Sequence, residues 1–240
     1  MNSNKDVSVV MPLYNESKGI EKIIYKWINV LEKLNLDYSI EIFNDGSIDN
    51  SSDIIEKISK DNPYVKLHNY AHFGFSRTLY NAYKNTKNSE YIFHADSDND
   101  ICPEEFIKLW KERDKANFII GKRMNRKQTL MRKIATVCAS FLISIFFSNG
   151  KLLIHDANIP FKLVKSSLLK EFLDTIDCNF PYPDLFLCAY CLKKKLKIIE
   201  IPVEYQNSNR KGWLNNIITL HISEIKSVIA LIFYKLRLKK

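Results

Sequence analysis

The feature that most constrains this chain is a regular alternation, across its first half, of short apolar runs with segments of helical period. Val7-Ser8-Val9-Val10-Met11 reads as a buried strand stopped by Pro12. Ile20, Ile23, Ile24, Trp27, Leu31 and Leu34 then recur at helical spacing, with Ser17 as the expected N-cap. Residues 38–43, 65–70, 91–95 and 118–120 read as four further strands, separated by helices expected over 53–59, 76–85 and from Pro103 to about 116. Strands that alternate with helices predict a mostly parallel sheet covered on both faces. Ligands of such sheets gather beyond the carboxyl ends of the strands. Four of these ends are polar here: Pro12-Leu13-Tyr14-Asn15-Glu16, Asn44-Asp45-Gly46-Ser47, Asp96-Ser97-Asp98 and Gly121-Lys122-Arg123. Four polar ends on one rim make a site.

The second half is less regular. Residues 155–162 read as a loop and short strand, 184–195 as a helix, 198–205 as a strand carrying Pro202, and 213–240 as a long amphipathic helix with a basic end. One α/β domain over 1–212 followed by a C-terminal helix over 213–240 is the expected organisation.

Several classes are excluded by what the chain lacks. Its six glycines, Gly19, Gly46, Gly74, Gly121, Gly150 and Gly212, lie too far apart for a G-x-G-x-x-G or a Walker loop. Phosphate, if bound, must be held by a metal ion or by basic side chains. The formal net charge of +9 suits phosphorylated substrates, anionic lipid or nucleic acid. No interleaved aromatic and basic motif supports nucleic acid, so none is expected as a partner. Five cysteines at irregular spacing and an N-terminus that runs straight into a strand point to a reducing, cytoplasmic setting. Cys188 and Cys191 form a C-x-x-C inside an apolar helical stretch and read as core thiols.

Asp96 and Asp98 supply the metal route. Side chains alternate along a strand, so these two carboxylates share a face and repel unless a cation joins them. Mg²⁺ or Mn²⁺ suits a few carboxylates together with diphosphate oxygens. A turn of solvated aspartates is the competing reading, and Asp100 favours it.

In ordered motifs the chain resembles the family 2 glycosyltransferases, with their nucleotide-sugar-binding GT-A fold. The motifs are Val9 to Glu16, Asn44-Asp45-Gly46-Ser47-Ile48-Asp49, Phe73-Gly74-Phe75-Ser76, Ala95-Asp96-Ser97-Asp98, Gly121-Lys122-Arg123, Asp156 to Lys162 and Ile201-Pro202-Val203. The resemblance implies an inverting transfer from a UDP- or GDP-linked sugar to a glycan or polyprenyl-phosphate acceptor. It implies that Pro12, Tyr14 and Glu16 line the nucleoside pocket, Asp45 contacts the base, Asp96 faces the ribose or diphosphate, and Asp98 ligates Mg²⁺ or Mn²⁺. Arg123, Arg132 and Arg210 match basic residues near the diphosphate in the dolichyl-phosphate mannosyltransferase branch. Asp184 resembles the base that takes the proton of a hydroxyl acceptor, with a helix cap as the alternative. Two departures stand out: Asn44 replaces a first aspartate, and Asn215 stands where the polyprenyl-phosphate branch tends to carry Lys.

Residues 134–147 and the 213–240 helix are apolar and flanked by basic residues. Two readings of them stay open: adsorption to an anionic membrane at its cytoplasmic face, or packing on the core or across a homodimer. Rival functions are a metal-dependent nucleotidyltransferase and a non-enzymatic basic membrane-associated module. The first wants a glycine-rich basic loop after its first strand, and the second leaves the strand-end carboxylates unexplained.

Overall fold

The computed structural model describes residues 5–86, 88–125, 141, 143–148, 154–206 and 234. Its strands are β1 (Lys5–Leu13), β2 (Tyr38–Asp45), β3 (Val65–Tyr70), β4 (Ser89–Ala95), β5 (Phe118–Met124), β6 (Phe161–Lys165) and β7 (Ile198–Glu204). They form one sheet in the order β3-β2-β1-β4-β6-β5-β7. The helices are α1 (Ile20–Lys33), α2 (Ser51–Asp61), α3 (Phe75–Asn85), α4 (Phe106–Trp110), α5 (Ser166–Leu173) and α6 (Pro183–Lys193). The parallel α/β architecture expected from the alternation is present.

The sheet is mixed at one place. β6 runs antiparallel to both β4 and β5, whereas β3, β2, β1 and β4 are mutually parallel and β5 pairs parallel with β7. β6 therefore begins at the rim where β4 ends, with Phe161 opposite Ala95 and Lys162 opposite His94. That puts the 155–160 loop on the same rim as the four polar strand ends. Pro202 is tolerated because β7 is the edge strand of this sheet among the described residues.

Alternation along β4 separates two cores. Phe93 packs toward α1 in an aromatic cluster, 5.4 Å from Trp27, 4.8 Å from Phe106 and 4.7 Å from Phe161 between ring centroids. His94, one residue on, faces the opposite side, toward Tyr83 of α3 and Asp184 of α6. Helix α6 is buried on almost every face, from Pro183 through Leu192, so it reads as continuous apolar sequence rather than a stripe. Cys188 and Cys191 are buried free thiols within it, and burial pushes the Cys188 thiol up to about 12.

Three local expectations change. Ser17 does not cap α1: Gly19 holds that position with no side-chain cap, and the Ser17 amide instead donates to Asp49. The 103–116 helix is broken into a 3₁₀ turn at Pro103–Glu105, the short α4 and a second 3₁₀ turn at Arg113–Lys115. Helix α5, not foreseen, starts at the Ser166-Ser167 pair directly after β6.

Among the described residues no helix is long and apolar enough to cross a membrane. Most of 134–147 and all of 213–240 except Tyr234 lie outside the described residues. Tyr234 itself is buried, packed against Phe147, Phe180 and Phe186, with its hydroxyl 2.9 Å from Thr175 Oγ1.

Candidate active site

The ends of β1 and β2 lie side by side, Leu13 opposite Asn44, and the loops that follow are stapled together. The Asn15 amide donates to Ser47 Oγ, and Asn15 Oδ1 accepts from the Ile48 amide at 2.9 Å. The Glu16 amide donates to Ser51 Oγ, and the Ser17 amide to Asp49 Oδ2 at 3.0 Å. Burial pushes the Asp49 carboxyl up, but hydrogen bonds from Ser51 and Ser17 outweigh it and hold it at about 2. Asn44 fits its place as a neutral residue. Its amide donates to Asn69, and its Oδ1 accepts the Ser47 amide that closes the turn. Gly46 is required by that turn: its φ is +70°, and a Cβ there would sit 2.8 Å from the His72 backbone nitrogen.

Asp45 ends β2 and is almost fully buried. Its Oδ1 accepts from the Phe73 amide at 2.7 Å and the Thr78 hydroxyl at 2.8 Å. Its Oδ2 accepts from the Gly74 amide at 3.0 Å and lies 3.0 Å from His72 Nδ1. Each carboxylate oxygen thus has two protein neighbours, about the capacity of its in-plane lone pairs. Asp45 thereby anchors the segment that leads into α3, and it also borders the cleft onto which these loops open. The segment it holds presents His72, stacked on the exposed ring of Tyr14 at 4.5 Å between centroids.

These loops open onto a cleft of about 250 Å³ lined by Pro12, Tyr14, Glu16, Asp45, His72, Phe75, Thr78, Asp96 and Asp98. Six residues expected from the sequence meet here. A smaller recess shares Asp96 and Asp98 and adds Asp100, Arg123 and Tyr205. Asp98 Oδ1 accepts the Asp100 amide at 3.0 Å, and Tyr205 donates its hydroxyl to Asp100 Oδ2. Arg123 reaches this recess already gripped by Asp156, with Nε–Oδ2 at 2.7 Å and Nη2–Oδ1 at 2.6 Å. Burial works against the guanidinium charge, but Asp156 outweighs it and the proton is held more tightly than usual. Arg132 and Arg210 lie outside the described residues.

Asp184 does not suit the role of base. It sits at the second position of α6, where Tyr182 takes the cap position, and it is 2% exposed. Its carboxylate receives the Tyr83 hydroxyl at 2.7 Å, lies 3.1 Å from His94 Nδ1 and pairs with Lys162 Nζ at 3.2 Å. Burial pushes its proton affinity up, but His94, Lys162 and Tyr83 together drive it well below the usual carboxylate range. A carboxylate held this way is a poor proton acceptor, and Asp184 lines neither of the two recesses.

Asp96 and Asp98 offer hard oxygen donors side by side, which fits Mg²⁺ or Mn²⁺. Among the described residues no group of three or more His, Cys, Asp or Glu could hold a metal alone. Such a site takes the rest of its coordination from water and substrate oxygens, as Mg²⁺ sites at phosphates do.

The sequence profile of glycosyl transferase family 2 matches residues 8–181, which spans the cleft from Pro12 to the start of the α6 approach. The chain belongs to glycosyl transferase family 2. This transferase is 29% identical over 239 residues to an uncharacterised protein of Methanocaldococcus jannaschii, covering 93% of this chain and 98% of that one. It is 27% identical over 143 residues to the undecaprenyl-phosphate 4-deoxy-4-formamido-L-arabinose transferase of Photorhabdus laumondii. That match covers 58% of this chain and only 44% of the relative. In fold the transferase is similar to Mycobacterium tuberculosis glucosyl-3-phosphoglycerate synthase, solved with Mn²⁺, UDP and phosphoglyceric acid. The TM-score is 0.69 at 13% identity, covering 98% and 80% of the two chains. The mannosyltransferase of Pyrobaculum calidifontis, solved with GDP-Man and Mn²⁺, gives 0.64 at 13% identity over 98% and 65%. The fold is GT-A, and the nucleotidyltransferase and non-enzymatic readings are set aside.

Sequence reasoning did not single out Phe75, Thr78, His72 or Tyr205, which line these recesses. Phe75 and Thr78 stood in or beside a recognised motif. His72 carried a signal only as the neighbour of Phe73-Gly74. Tyr205 had none, because its link to Asp100 spans 105 positions.

Proposed function

We propose that this glycosyltransferase moves a sugar from a UDP- or GDP-linked donor, bound with Mg²⁺ or Mn²⁺, to a polyprenyl-phosphate or glycan acceptor at the cytoplasmic side. The observation that carries the donor half is the placement of Asp96 and Asp98 at the end of β4, in the same cleft as Tyr14, His72 and Asp45. The stacked Tyr14 and His72 rings offer a flat aromatic wall for a base. Asp45 keeps that wall in place through the Phe73 and Gly74 amides. Asp98 and Asp96 would hold the cation, which when bound supplies positive charge to the departing diphosphate. Arg123, fixed by Asp156, adds a cation at the edge of the same recess.

Of the two acceptor classes, an ionised phosphate suits the site better. A hydroxyl must lose its proton as it attacks, and Asp184, the residue expected to take it, is buried and already paired. A phosphate oxygen is anionic at neutral pH and needs no base. The undecaprenyl-phosphate relative supports this class, although this chain spans less than half of that protein. A panel of UDP- and GDP-sugars with Mn²⁺ should release nucleoside diphosphate with at least one donor, faster when undecaprenyl phosphate is added. Release stimulated only by hydroxyl acceptors would move the assignment to a glycan, and no release from any donor would contradict the donor half.

A further inference from the structure

His94 is the penultimate residue of β4, and Asp96 follows directly after the strand, with His94 Nε2 4.0 Å from Asp96 Oδ1. The ring is fully buried and fixed from several sides. Nδ1 lies 3.1 Å from Asp184 Oδ2, the Tyr83 ring meets it edge-on at 89° and 5.9 Å, and Phe75 lies tilted at 6.2 Å. Asp184 is in turn held by the Tyr83 hydroxyl and by Lys162, and Lys162 is the cross-strand partner of His94 in the β4–β6 register. Three elements, α3, β6 and α6, thus converge to hold one buried imidazole next to Phe75 and Asp96 of the cleft lining.

One atom of this assembly is unaccounted for by packing. His94 Nε2 is buried and makes no hydrogen bond among the described residues. It faces Asp96, whose Oδ1 is 4.0 Å away on a side chain about one-third exposed at the cleft. Of the two side chains the His94 ring is the more enclosed, being fully buried, and the Asp96 carboxylate is the one that borders the cleft. We propose that His94 is a positioning residue: Asp184 fixes its ring so that Nε2 engages Asp96 and sets the direction in which that carboxylate faces the donor cleft. A carboxylate–imidazole pair that orients a group at a metal site is a general device, and losing such a partner costs roughly 10–100-fold in metal affinity. The inference rests on the donor reading above. It also reassigns Asp184, from proton acceptor to the group that aims His94.

The two nitrogens can be separated by substitution. Asn at position 94 places its amide near the Nδ1 side and keeps contact with Asp184, while Gln reaches toward Asp96 as Nε2 does. Mn²⁺ is titrated into the full-length protein with UDP or GDP present, free Mn²⁺ being followed by electron paramagnetic resonance. Urea unfolding is measured for every variant, and Asp98→Ala serves as the control for the metal site. His94→Asn is expected to weaken Mn²⁺ binding roughly 10–100-fold, and His94→Gln to retain most of the wild-type affinity. Nucleotide affinity in chelator should be the same for all. If both variants bind Mn²⁺ as the wild type does and only their unfolding midpoints fall, His94 is a packing residue and the proposal is wrong. If the wild type itself shows no Mn²⁺-dependent nucleotide binding, the donor reading fails and the proposal falls with it.

Discussion

Asp184 shows how an environment decides what a carboxylate can do. Buried beside Lys162, His94 and Tyr83, it is a structural anion whose loss leaves the Lys162 ammonium, 1% exposed, without its counter-charge. Breaking a buried pair by removing one partner costs about 3–5 kcal/mol. Asp184→Asn should therefore lower unfolding stability by about 3 kcal/mol in urea. Unchanged stability with a hundredfold loss of turnover would instead restore the base. Asp49 makes the converse case at the surface. Its folded value of about 2 lies below the ordinary 3.8, so its bonds to Ser51 and Ser17 stabilise the fold above the ordinary value. That contribution is lost as pH falls through about 2. In Ser51→Ala the Asp49 carboxyl, followed by NMR, should titrate closer to 3.8. A titration unchanged from the wild type would mean that Ser51 does not hold it down.

The strand ends were legible because their chemistry is local. Asn44-Asp45-Gly46-Ser47 announces a turn, and Asp96-Ser97-Asp98 announces carboxylates beyond a strand, although they stand in the turn after β4, where Asp98 accepts the Asp100 amide, and not in extended backbone. What was not legible depends on pairings far apart in sequence. Asp45 is saturated by groups 27 to 33 positions away, and Asp184 by partners 22, 90 and 101 positions away. The antiparallel insertion of β6 brings Lys162 to His94, and nothing in the Phe161–Lys165 segment alone declares that direction. At the scale of the element, the Gly46 turn is the sharpest test of how the rim is built. Ala at this position would adopt a positive φ and press on the His72 backbone, both unfavourable. Gly46→Ala should destabilise by about 1–3 kcal/mol and disturb the Tyr14–His72 stack. A variant as stable as wild type, with unaltered nucleotide affinity, would show that the turn adapts and does not set the wall.

Over the whole molecule, two cores on opposite faces of one sheet support a rim that carries the chemistry. Phe93 serves one core and His94 the other, so the strand that delivers Asp96 and Asp98 is gripped on both sides. Tyr234 joins the second core, its ring packed against Phe147, Phe180 and Phe186. Removing a buried aromatic ring costs about 3–5 kcal/mol. Tyr234→Ala should lose a comparable amount in urea unfolding, and a loss below about 0.5 kcal/mol would mean that the ring does not hold this core together. The central claim concerns the rim: two carboxylates share a cation with a nucleotide's phosphates, since no group of three or more candidate ligands gathers among the described residues. Calorimetric titration of UDP and GDP, with Mn²⁺ and with chelator, tests it most directly. The account predicts that one nucleotide binds tightly with Mn²⁺, at least tenfold more weakly with chelator, and that Asp98→Ala abolishes the difference. Equal affinity with and without the metal, or a metal effect that survives Asp98→Ala, would contradict it.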